Sequence, residues 1–325
     1  MLHVPTYDID KQQFLNELIP PPRYKSCRFN TYFPDQNYPS QNETVRLLEM
    51  VIDRLNIFSD AGVVKKYFLR RKSDIRGLYL DGGFGIGKTH LLTSAYHQFT
   101  GKKLYLSFSE LMYILSFYGM DEMVRYVEDV DLICIDEFEL DDPGNTMKAS
   151  NFINEIIASD TFLITTSNTV PGELGKGRFN TKDFEREIGR IASLFKKISI
   201  DGKDYRQKDS VEDDYILFFE ERPSGAFEID FMELNKHLEK LPQLFYKLYV
   251  LEKKRWYISG LKTFKLQDNA LRFTHFIDKL YDSNISLSLS AEDECVELFT
   301  SEFLEGSYQK KYKRCLSRLH QLTKK

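Results

Sequence analysis

The sequence predicts an α/β fold: a largely parallel sheet flanked by helices, with an N-terminal arm and a mostly helical C-terminal region. Three observations carry that prediction. Short apolar runs alternate with segments of helical spacing between Ile75 and Ile200, the pattern of strands joined by crossover helices. The first run leads into a glycine-rich turn at Asp81-Gly82-Gly83, and a helical segment follows it. Six of the ten prolines fall in the first 40 residues, which marks an arm that packs on a domain rather than forming a core.

Each element has its own signal. The arm has a helix-like stretch at Phe14 to Ile19. Between Gln41 and Phe68, Val45, Leu48, Ile52 and Leu55 follow helical spacing, and a second helical stretch runs through Val63, Val64, Tyr67 and Phe68. Ile75 to Leu80 reads as a strand. Lys88 to Phe99 reads as a helix carried by Leu91, Leu92, Ala95 and Phe99, stopped at Gly101. Further strands are expected at Leu104 to Phe108, Leu132 to Ile135, Thr161 to Thr166 and Phe195 to Ile200, with a helix from about Ser109. The acidic run Asp209 to Asp214 marks a boundary, so the expected divisions are an arm at 1–40, an α/β domain at 41–208 and a C-terminal region at 209–325. In that last region Phe231 to Leu251 has helical spacing broken at Pro242, and another helix covers Ala270 to Tyr281.

Composition excludes several classes. The chain has 325 residues, a net charge of -4 and 42% hydrophobic residues, so global disorder and a whole-chain nucleic-acid or membrane signature are ruled out. Cys27, Cys134, Cys295 and Cys315 contain no C-x-x-C pair, which argues against a disulfide framework or zinc site. The N-terminus lacks the basic and apolar regions of a signal peptide. The longest apolar stretch, Leu111 to Tyr118, is far short of the roughly 18 residues needed to span a bilayer. A cytoplasmic location is expected.

The segment Gly82-Gly83-Phe84-Gly85-Ile86-Gly87-Lys88-Thr89 fits G-x-x-x-x-G-K-[ST], with a strand before it and a helix after it. The glycines let backbone N–H groups converge on phosphate oxygens, and the helix adds the positive end of its dipole. Lys88 would reach the β- and γ-phosphates of ATP, and the Thr89 hydroxyl would ligate Mg²⁺. A glycine-rich turn with a chance Lys-Thr after it is the competing reading.

Leu132-Ile133-Cys134-Ile135-Asp136-Glu137 supplies the complement. A buried strand ending in Asp136 places that carboxylate where it can hold Mg²⁺ through water, and Glu137 can then orient and deprotonate an attacking water. A solvated acidic turn is the alternative, since Glu139, Asp141 and Asp142 follow. Glu137 also separates a hydrolase from a small-molecule kinase, which must exclude water. Asn168, after Thr165-Thr166-Ser167, is the candidate contact to the γ-phosphate or the water; the start of a turn before Pro171-Gly172 explains it almost equally well.

Together these motifs resemble the ZapE-type, or AFG-one-like, cell-division ATPases of the AAA+ class. The resemblance rests on the phosphate loop, Asp136-Glu137-Phe138, Thr166-Ser167-Asn168 and Asp201-Gly202-x-Asp204-Tyr205-Arg206. It extends to Pro21-Pro22-Arg23-Tyr24, Pro39-Ser40-Gln41, Leu280-Tyr281-Asp282 and Arg314-x-x-Ser317-Arg318-Leu319, hence to nearly the whole chain. It implies an oligomeric AAA+ ATPase acting on a protein partner, such as FtsZ or another division-ring protein. It also implies an arginine supplied to each site by a neighbouring subunit. Arg178 is favoured, then Arg190, with Arg186 also in the right interval.

A nucleic-acid motor or helicase loader is the runner-up. Tyr308 to Lys325 carries seven Lys or Arg and no acid. Lys310, Lys311, Lys313, Arg314 and Arg318, with Tyr308 and Tyr312, could meet phosphates and bases. A solvated helix face is the favoured reading of that run.

Overall fold

The structure, a computed structural model, describes residues 17–59, 76–83, 85–140, 143–158, 161–169, 185–203, 220–291 and 297–323. Contacts divide the chain into two units, Lys11–Pro20 with Tyr24–Ser210, and Pro21–Arg23 with Val211–Lys325 and the N-terminal residues.

The first unit runs α1 (Pro39–Ser59), β1 (Gly77–Gly82), α2 (Lys88–Gln98), β2 (Lys103–Ser107), α3 (Phe108–Phe117), α4 (Met120–Val127), β3 (Leu132–Asp136), α5 (Pro143–Ala158), β4 (Phe162–Ser167), α6 (Glu185–Leu194) and β5 (Phe195–Ile200). The five strands are parallel, in the order β2-β3-β4-β1-β5. A parallel sheet covered on both faces needs continuously apolar strands, and every residue of β3 is buried. Side chains alternate across the sheet. Leu78 and Leu80 of β1 join Leu48 and Ile52 of α1 and Leu91, Leu92 and Ala95 of α2 in one core. Tyr79 points the other way, edge-on to Phe138 at 6.2 Å and Phe195 at 6.0 Å.

The end of β2 and the start of α3 differ by one residue from the sequence expectation. Ser107 caps α3: its hydroxyl accepts from the Glu110 N–H at 3.2 Å, while its own N–H donates to the Glu110 carboxylate at 2.8 Å. This reciprocal box satisfies donors that a helix start leaves unpaired, so Phe108 is already helical. The arm differs more. Residues 17–19 form a turn rather than a helix, and buried Leu18 accepts the Tyr105 N–H at 2.9 Å. The edge of β2 offers an unpaired donor there, and the arm carbonyl takes it. Residues 14–16 and the second helical stretch at 63–68 lie outside the described residues.

The second unit contains β6 (Phe227–Asp230), α7 (Phe231–Lys240), α8 (Tyr246–Leu251), β7 (Arg255–Leu261), α9 (Gln267–Asp282), β8 (Ser286–Ala291), α10 (Ser301–Glu305) and α11 (Gln309–Thr323). Its strands form a parallel sheet, β6-β7-β8, an addition to the helices expected here. Trp256 is fully buried among Phe227, Tyr249 and Phe276, with ring centroids 5.0–5.3 Å away.

The basic terminal helix α11 has a structural task. Arg314 and Arg318 both pair with the buried Asp278 of α9, Arg314 at 2.9 Å, and Arg318 also lies over the Tyr281 ring at 5.1 Å. Tyr312 is buried against Phe299 and Phe303. Burial alone would raise the Asp278 pKa, but Arg314, Arg318 and His275 outweigh it and hold the carboxyl below its usual value. Asp278→Ala leaves two arginines without their buried partner, and is expected to cost about 3 kcal/mol of stability. Urea unfolding would measure it, with exposed Lys313→Ala changing stability by less than about 0.5 kcal/mol as the comparison.

Candidate active site

The sheet order brings the sequence motifs together. β4 lies between β1 and β3, so its carboxyl end stands between the phosphate loop after β1 and the acidic loop after β3. Ligands of open parallel sheets bind at that edge.

The loop needs its glycines for specific reasons. A Cβ on Gly82 would stand 2.3 Å from the Ile200 carbonyl oxygen. Gly87, at φ 86°, caps α2 in the left-handed region, and a Cβ there would meet the Tyr32 ring at 2.6 Å. The Tyr32 hydroxyl donates to the Ile86 carbonyl at 2.9 Å. Lys88 is buried, and its ammonium donates to the Gly82 carbonyl at 2.9 Å and to the Gly83 carbonyl. Phe84 lies outside the described residues.

Donors from three elements converge on Asp136. Thr89 Oγ1 of α2 donates to its two carboxylate oxygens at 3.2 and 3.0 Å, and the Tyr105 hydroxyl of β2 donates to Oδ2 at 2.9 Å. Thr166 of β4 donates to Oδ1. Burial and then repulsion from Glu137 push the Asp136 pKa up, while the Thr166, Tyr105 and Thr89 hydrogen bonds oppose them. Glu137 follows in the left-handed region at φ 55°, which is unusual for a residue with a Cβ. Its N–H is held by Asp136 Oδ1 at 3.1 Å and Thr166 Oγ1 at 3.0 Å. Phe138 then anchors the turn: it is fully buried 4.7 Å from the Phe108 ring, and its N–H donates to the Thr166 carbonyl at 2.7 Å.

Asn168 sits half-buried just past β4, and its amide faces the Glu139 carboxylate at 3.5 Å. Arg178 and Arg206 lie outside the described residues; Arg186 and Arg190 are exposed on α6. Sequence reasoning did not single out Tyr105, Thr166 or Tyr32 for this site. The polar end of β4 was a signal for Thr166, whereas Tyr32 and Tyr105 carry no local motif. Pro39-Ser40-Gln41 gains a role as a brace: Gln41 accepts the Asp35 N–H at 2.8 Å and donates to the Asp201 carbonyl at 2.9 Å. Gly202 packs against it and Ile86.

A parallel sheet of this order, with a phosphate loop after β1 and an Asp-Glu pair after β3, defines a P-loop ATPase of the AAA+ class. Within that class the chain belongs to the AFG1-like ATPase family, whose model matches residues 13–243 and 249–325. The Cell division protein ZapE of Escherichia coli (strain K12) is 24% identical over 306 residues, covering 78% of this chain and 79% of that protein. An uncharacterized protein of Schizosaccharomyces pombe, C115.02c, is 24% identical over 197 residues, 51% of this chain and 43% of that protein. Among solved structures, DnaI is similar at a TM-score of 0.45 and 20% identity, over 57% of this chain and 96% of that one. Among the described residues no helix is long and apolar enough to cross a membrane.

Proposed function

We propose that this ATPase is Mg²⁺-dependent, acts in the cytoplasm as a homo-oligomer, and couples hydrolysis to remodelling a protein partner in cell division, with the FtsZ polymer as the candidate. Residues 41–208 would carry hydrolysis, 209–325 would engage the partner, and 1–40 would serve as the arm. The observation that carries the hydrolase reading is the convergence of Thr89, Tyr105 and Thr166 on Asp136, with Glu137 held beside it.

The residues present fit Mg²⁺. The Thr89 hydroxyl donates its hydrogen bond to Asp136, which leaves its oxygen lone pairs available to a cation. Both groups offer the hard oxygen donors that Mg²⁺ prefers. Thr89 and Asp136 would hold it, Asp136 through water, and when bound it neutralises charge on the phosphate oxygens.

The chain's own groups do the rest. The backbone of Gly82 to Thr89, Phe84 included, cradles the phosphates, and Lys88 exchanges its carbonyl partners for the β- and γ-phosphates. The Glu137 carboxylate takes the proton of the attacking water, while Asn168 fixes that water or the γ-phosphate. Arg178 is the choice for the arginine donated by a neighbouring subunit. Arg178→Ala is expected to slow hydrolysis by about 10³-fold with ATP affinity retained; unchanged turnover moves the role to Arg190.

The partner assignment rests on family membership and on the relative named as a cell division protein. It is tested by phosphate release with FtsZ polymer or single-stranded DNA added separately. Stimulation by the polymer supports the reading, and stimulation by DNA alone replaces it with the motor or loader reading. The nucleic-acid reading has fewer groups to call on, because Arg314, Arg318 and Tyr312 are engaged within the fold.

A further inference from the structure

The arm residue Tyr32 places the hydrogen bond of its buried hydroxyl on the phosphate loop itself. Its ring is buried against Gly87, at a position where any side chain would collide. Its hydroxyl donates to the Ile86 carbonyl, a group inside the phosphate loop. A peptide unit is planar and trans, so its C=O and N–H point in opposite directions. Holding the Ile86 carbonyl toward the arm therefore turns the Gly87 N–H away from the arm. This is one of the N–H groups that must converge on phosphate in a loop of this kind.

The arm is itself fixed to the helix that follows the loop. Thr31 Oγ1 lies 3.0 Å from His90 Nε2, the Arg28 carbonyl lies 3.1 Å from the same nitrogen, and the His90 ring meets Tyr32 edge-on at 5.6 Å. Tyr32 is thus held by the first turn of α2 while it grips the loop leading into that turn. The hydroxyl bond to Ile86 adds control over the orientation of a single peptide.

We propose that Tyr32 is a positioning residue for nucleotide binding, presetting the Ile86–Gly87 peptide so that its N–H faces the phosphates. The inference rests on the reading of Gly82 to Thr89 as the phosphate site. It concerns phosphate groups common to ATP and ADP, so both nucleotides are affected alike. Because the loop is preset before binding, the effect falls on affinity rather than on the hydrolytic step.

Tyr32→Phe keeps the ring and removes only the hydroxyl. With fluorescent ATP and ADP analogues, it is expected to weaken both affinities about tenfold, the equivalent of one hydrogen bond. KM for ATP rises in parallel, and kcat at saturating ATP falls less than about threefold. Replacing Tyr32 by p-aminophenylalanine, which retains a donor at the ring tip, restores most of the affinity. A merely structural tyrosine would lower the unfolding midpoint without this KM-against-kcat split. Wild-type affinity in the Phe variant, or a loss confined to kcat, overturns the inference. If the wild-type protein itself fails to bind either analogue, the phosphate-site reading falls and the inference with it.

Discussion

Glu137→Gln is expected to slow phosphate release by about 10²–10⁴-fold, the usual contribution of a general base, and to leave ATP bound. The substitution keeps the shape of the side chain and removes its basicity. The backbone N–H of Glu137, which bonds Asp136 and Thr166, is untouched, so the left-handed turn and the anchor at Phe138 should persist. The Gln variant also removes the second cause that pushes the Asp136 pKa up, the charge of residue 137. Asp136 should therefore remain at least as ready to ionise, and Mg²⁺ and nucleotide binding should hold or improve. The expected result is stoichiometric retention of labelled ATP through gel filtration, with release of phosphate nearly abolished. Normal turnover in this variant would remove Glu137 from its assigned role and shift attention to Glu139, the next carboxylate along the loop.

The parts of this fold that were legible in sequence share a physical cause. In β1 to β4 most residues are buried, so each shows as a short apolar run without reference to a partner, whereas edge strand β5 keeps Lys196, Lys197 and Ser199 exposed between buried Phe195 and Ile200. The phosphate loop is legible because fixed glycine positions are imposed by backbone conformation and close approach, as at Gly82 and Gly87. Strands β6, β7 and β8 were not legible. Phe227–Asp230 is only four residues long, while Ser286–Ala291 does carry the apolar–polar alternation of a half-buried strand, a signal overshadowed by the strong periodicity of the neighbouring helices. The supporting groups of the site were hidden for another reason. Tyr32 lies 54 residues from Ile86, and Tyr105 lies 31 from Asp136; both are defined by strand and arm placement rather than by spacing. The same applies to α11, whose charge run reads as solvated until Asp278, 36 residues away from Arg314, is brought against it.

Lys88→Ala is expected to remove productive nucleotide binding while leaving the fold in place. A lysine ammonium facing phosphate oxygens makes charge-assisted hydrogen bonds worth about 1.5–3 kcal/mol each. Losing two of them corresponds to a fall in affinity on the order of 10²–10⁴-fold. In the protein Lys88 donates to the carbonyls of Gly82 and Gly83. Gly83 is exposed and Gly82 is partly so, so water can replace the ammonium as donor and the unfolding midpoint should change little. Titration calorimetry with a non-hydrolysable ATP analogue should therefore show no binding at concentrations that saturate the wild type. The contrast with Glu137→Gln separates the two halves of the site: one variant loses the ligand, and the other keeps it without turning it over. If Lys88→Ala bound the analogue as the wild type does, the phosphates would have to lie elsewhere. The convergence of Thr89, Tyr105 and Thr166 on Asp136 would then be a structural knot at the sheet edge rather than a catalytic centre.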